Sequence, residues 1–224
     1  MSFSQKLRAA VAPKNLLNHP FYQSWNEGVL SNEILQQYAG QYFAHVSAFP
    51  RYVSATHSMC EDINDRKLLL ENLNDEENNG TNHPELWMQF AEGLGCDREA
   101  VKNTAQWDET KALIQSFFTP ARSSYAEGLA ALYTYEHQVP EIAETKIRGL
   151  KNFYGVTDER GLQFFEVHKQ ADCWHREQCE TLLDALPEAD QEKALAAACN
   201  AADAMWNFLT GVQKHTGMSN MAAC

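Results

Sequence analysis

The sequence predicts an all-α protein, and three observations carry that prediction. Apolar residues recur at helical spacing, as in Ile34, Tyr38, Tyr42, Val46 and Phe49, or Leu195, Ala198, Ala202, Met205, Phe208 and Leu209. Alternating β-branched runs, the signature of half-buried strands, are absent. Pro, Gly, Ser and Asp fall where helices start and stop.

In chain order, residues 2–12 form a short amphipathic segment closed by Pro13. Residues 15–30 read as one or two short helices ending at Gly28. Ser31 is an N-cap with Glu33 in the first turn, and a long helix runs from there to about Met59, with Pro50 expected to kink it. Arg66 to Leu73 is helical and leads into Asp75-Glu76-Glu77, and Asn78 to Asn82 is a loop by composition. Pro84 suits the first turn of the next helix, which ends near Gly93-Leu94-Gly95. Asp97 caps a short helix to about Thr104, and 108–118 is another. Pro120 is expected to open a long helix over 121–150, interrupted at Pro140. Thr157 or Asp158 caps a helix to about Leu186, and Pro187 opens the last, 188–214. With no fixed-period repeat and no low-complexity linker, residues 1–224 read as one domain of about seven to nine helices.

The 224 residues are 44% hydrophobic, enough for a packed core, and the net charge of −12 argues against a nucleic-acid partner. No apolar run approaches the ~20 residues that span a bilayer, and the N-terminus lacks a secretory pattern. The six Cys form no close CxxC pair. Reduced thiols and a cytoplasmic location are the expectation.

The segment Phe164 to Cys179 holds the chemistry. On a helix, His168, Asp172 and His175 fall at i, i+4 and i+7 and share one face. Two imidazoles and a carboxylate on one stripe suit iron, manganese or zinc. A helical-bundle metal site draws ligands from several helices, and three more candidates stand out. Glu76 lies at a helix end, His83 opens the next helix, and Glu136 lies mid-helix among apolar neighbours, where a bare carboxylate is costly. The six together could serve two divalent ions with positions left for O2. Each also has a plainer reading: Glu76 as a surface acid beside Glu77, His83 as a cap, and Glu136 as a partner of Lys146 or Arg148. His57 and His215 read as surface or core-edge residues, His137 points about 100° away from Glu136, and His45 lies on the long tyrosine-bearing helix, where it could support the site from behind.

Taken together, Glu76-x6-His83, the mid-helix Glu136 and His168-x3-Asp172-x2-His175 resemble the haem-oxygenase-like di-iron oxidases, related in fold to the PqqC and TenA proteins. The match is nearer still to the branch typified by the chlamydial death-domain-associating protein, CADD, whose members make p-aminobenzoate for folate. It runs from His19-Pro-Phe-Tyr-Gln-Ser-Trp through Asp75-Glu-Glu-Asn, Asn82-His-Pro-Glu-Leu-Trp and Tyr135-Glu to Lys146-Ile-Arg-Gly-Leu. The resemblance implies a haem-oxygenase-like helical bundle, often a homodimer. Its dimetal centre would be Fe/Fe or Fe/Mn, with O2 and an external reductant. It also implies that the enzyme consumes its own tyrosine, at the position of Tyr22, with Lys146 as the amine source and Tyr38 and Tyr135 as further site tyrosines. One departure is Phe164, where that branch carries a tyrosine.

Without the resemblance, Tyr22 reads as a core aromatic and Lys146 as an exposed helix lysine. Alternative functions are a dimetal oxygenase acting on a free small molecule, a cofactorless PqqC-like oxidase, or an interaction module. The six-residue ligand set argues against the cofactorless reading.

Overall fold

The computed structural model describes residues 1–78 and 80–218, and within them the side chains of all but 170–175. Among the described residues there are eleven α-helices and no strand. They are α1 (Phe3–Val11), α2 (Pro20–Glu27), α3 (Asn32–Met59), α4 (Ile63–Glu77), α5 (His83–Gly93), α6 (Arg98–Lys102), α7 (Asp108–Ser123), α8 (Tyr125–Glu136), α9 (Val139–Asn152), α10 (Glu159–Asp184) and α11 (Glu188–Thr216), with two 3-10 turns between α1 and α2.

The caps explain most boundaries. Ser31, Asp62, Asn82, Asp97 and Asp158 each accept a hydrogen bond from a backbone N–H in the first turn of the helix they precede. Gly28 ends α2 with φ of 71°, the left-handed conformation that glycine adopts freely. Pro50 stays inside α3 without ending it.

Eleven helices exceed the seven to nine expected, and the difference has local causes. Pro120 does not open a long helix; it lies within α7, which runs on to Ser123. The break comes at Ser124, whose extended backbone (φ −159°) and hydroxyl cap Glu127 N–H at 3.2 Å, while its hydroxyl also donates to Glu127 Oε2 at 2.7 Å. The expected 121–150 helix is therefore α8 and α9, separated at His137-Gln138 just before Pro140.

One core cluster joins faces of α2, α3, α5, α7, α8, α9, α10 and α11, and is rich in aromatic rings; a smaller one forms between α1, α8, α10 and α11. The large cluster positions the site. Trp25, Trp87, Tyr38, Tyr52, Phe90, Phe117 and Phe165 are all fully buried in it. No helix among the described residues is long and apolar enough to cross a membrane.

Candidate metal centre

Glu76 stands in the last turn of α4 and His83 at the first position of α5, so the short loop between these helices brings them together. Glu76 is 5% exposed and His83 6%, and His83 Nδ1 lies 2.9 Å from Glu76 Oε2. Glu77, one residue on, faces solvent. The 100° step per helical residue turns the two carboxylates to different faces.

His168 reaches the same point from α10. Its ring centroid is 4.3 Å from that of His83. His168 Nδ1 donates to the carbonyl of Phe164 at 2.5 Å, which fixes the tautomer and puts the ring's lone pair on Nε2. One donor atom each from Glu76, His83 and His168 lie within 4.8 Å of one another, and all three residues are buried. Donor atoms gathered this closely need only small side-chain movements to reach one ion at bond lengths near 2.0–2.2 Å. Two imidazoles and a carboxylate gathered away from water are a donor set that fits iron.

Glu136, 1% exposed on α8, is not one of the converging three. Asn72, one turn before Glu76 on α4, donates from Nδ2 to its Oε1 at 2.6 Å, and the Cys179 thiol donates to Oε2 at 3.4 Å. Neither Lys146 nor Arg148 pairs with it: Lys146 donates to the Tyr38 hydroxyl and Arg148 to Asn26. Asp172 and His175 lie on the helical run of α10, but their side chains fall outside the described residues.

Lys146 departs most from its plainer reading. It is 4% exposed, and its ammonium sits between 4.9 and 5.7 Å from the ring centroids of Tyr22, Tyr38, Tyr42, Trp87 and Phe165. Burial lowers its pKa from 10.5 to about 7. Tyr38 also shares a hydrogen bond with Tyr22, so amine and phenols form one chain. Burial pushes both phenols well above the ordinary range and holds them protonated. A cavity of about 30 Å³ adjoins this cage, lined by Tyr22, Tyr42, Tyr135, Lys146, Phe164 and His168 among others.

Of the catalytic candidates, Tyr22, Tyr135 and Lys146 thus border one cavity with His168, and Tyr38 backs the amine. His45 is fully buried behind them, its ring 5.2 Å from Tyr42 and 5.4 Å from Tyr135, and burial lowers its pKa to about 3. Sequence reasoning missed Asn72, Cys179 and Tyr42. Cys179 lies four residues after His175 and eleven after His168, on the same stripe; Asn72 is four before Glu76. Extending each motif by one turn would have found both.

A helical bundle that gathers a buried Glu/His/His set beside an aromatic cavity is a metal-binding scaffold suited to redox work. A family model described as iron-containing redox enzyme matches residues 36–206, and the chain belongs to this haem-oxygenase-like family. It is 40% identical over 210 residues to a 4-aminobenzoate synthase of Chlamydia muridarum, covering 93% of this chain and 89% of that protein. It is 38% identical over 226 residues to a 4-aminobenzoate synthase of Nitrosomonas europaea, covering 96% and 92%. A solved TenA homologue from Pseudomonas syringae pv. tomato shares the fold, with a TM-score of 0.82 at 20% identity over 95% of this chain and 93% of that one.

Proposed function

We propose that this protein makes 4-aminobenzoate from its own Tyr22, with Lys146 giving up the nitrogen, at a pair of metal ions held by Glu76, His83, Glu136, His168, Asp172 and His175. Iron, or iron with manganese, would supply O2-driven oxidation there, and an external reductant would supply electrons. The observation that carries the reading is Lys146: a buried amine with a pKa near 7, caged by Tyr22 and its neighbours next to His168. An ordinary surface lysine keeps its proton firmly at neutral pH, whereas burial makes this one far easier to deprotonate. Tyr38 orients the amine by accepting its hydrogen bond, and the surrounding rings exclude water.

Cavity size favours an internal substrate over a free one. About 30 Å³ admits a water or two, or a diatomic gas, while a dry cavity that takes up benzene measures about 150 Å³. The names of the two relatives support the product. A cytoplasmic homodimer completes the proposal, and sedimentation of the metal-loaded protein tests its stoichiometry.

Tyr22→Phe keeps the ring and loses only the hydroxyl, and Lys146→Arg keeps a cation but holds its nitrogens in a guanidinium. Both variants are expected to fold, to bind metal as the parent does, and to release no 4-aminobenzoate. Undiminished product from either variant overturns the assignment of that residue.

A further inference from the structure

We infer that Asn72 is a positioning residue of the metal centre: its amide N–H holds Glu136, and its amide oxygen accepts a hydrogen bond from water bound to the ion that Glu136 ligates. The inference rests on Glu136 being a ligand. Asn72 is 4% exposed, on the α4 face that also carries Glu76. Its Nδ2 lies 2.6 Å from Glu136 Oε1. A carboxylate only accepts, so the amide must turn its NH2 toward Glu136, and Oδ1 is directed elsewhere. Oδ1 is buried and meets no donor among the described residues. A buried amide oxygen left bare is expensive, and buried polar atoms are as a rule satisfied. Among the described residues nothing supplies that donor, which leaves room for one bound at the metal. Water on a divalent ion is a strong donor, and Glu136 brings such an ion to the neighbourhood of this amide.

Holding Glu136 from α4 also couples the two halves of the centre. Asn72 and Glu76 are four residues apart on one helix, so the turn that presents one carboxylate ligand also orients the other, which stands on α8. Cys179 completes the cradle by donating to Glu136 Oε2 from α10. Partners that orient a ligand commonly contribute 10–100-fold in metal affinity.

The test is a double-mutant cycle in metal binding. Anaerobic Fe(II) titration of the metal-free protein is compared for the wild type, Asn72→Ala, Glu136→Gln and the double variant. Thermal unfolding of the metal-free forms and the EPR spectrum of the Mn(II)-loaded forms are recorded alongside. Asn72→Ala is expected to weaken one of the two ions about 10–100-fold and to change the Mn(II) spectrum. The double variant should bind no more weakly than Glu136→Gln alone, because Asn72 acts through Glu136. If Asn72→Ala binds both ions and gives the Mn(II) spectrum of the wild type, the inference is wrong. It is also wrong if the two losses multiply, or if Asn72→Ala lowers the melting temperature while leaving the spectrum unchanged, which marks a purely structural residue. Wild-type binding by Glu136→Gln would instead overturn the ligand assignment beneath it.

Discussion

Lys146 sits where a charge is costly, and its cost depends on pH in a direction that can be worked out. The unfolded chain keeps the proton up to about 10.5, whereas burial makes the folded chain shed it above about 7. Between those values the unfolded state binds more protons, so this residue's contribution to stability rises with pH. The cost is fully present below pH 7 and fades as pH approaches 10.5. Metal-free Lys146→Met should therefore exceed the wild type in stability by a few kcal/mol at about pH 6, and the gap should close in alkali. Urea unfolding at several pH values checks this, and a pH-independent gap would show that Lys146 is not buried as a cation. A second comparison at this scale is Glu76→Ala against Glu77→Ala. The buried carboxylate should be needed for metal and its exposed neighbour should not; the reverse result in elemental analysis would put the register one residue out. Helix spacing put His168 on a ligand stripe, and the family resemblance tied Glu76 and His83 to it. Burial of Lys146 was not legible from spacing, since its cage is assembled from α2, α3, α5, α9 and α10, elements far apart in sequence.

At the scale of the element, α9 carries Lys146 and packs on α2, which carries Tyr22. The contact is close because Gly149 has no side chain: a Cβ there would fall 2.3 Å from Trp25 Nε1. Trp25 is fully buried against Phe21, Tyr38 and Tyr154 and has nowhere to retreat. Gly149→Ala should push α2 from α9 and cost about 1–3 kcal/mol in urea unfolding, with Tyr22 displaced from Lys146; unchanged stability would mean that the two helices part freely. Element boundaries were legible at the capping side chains Ser31, Asp97 and Asp158, though the Asp62 cap that starts α4 at Ile63 was missed. The break after α7 was not legible, because Pro120 drew attention from the Ser124 N-cap four residues on. A proline removes one N–H and does not always end a helix whose other bonds and packing persist.

At the scale of the whole molecule, the bundle brings a buried Glu/His/His cluster, a buried lysine of lowered pKa and a set of phenols close together, with His168, Lys146 and the phenols bordering one small cavity. The most direct test of the proposal that the protein consumes its own tyrosine follows the atoms. The chain is prepared with ring-labelled tyrosine, loaded with Fe(II) or with Fe(II) and Mn(II) under anaerobic conditions, and exposed to O2 with a reductant in the presence of unlabelled small molecules. The expected result is labelled 4-aminobenzoate at no more than about one equivalent per chain, with the mass of the protein reduced at Tyr22. Unlabelled product, or product in many-fold excess over the chain, would contradict the account and make this an oxygenase of a free substrate.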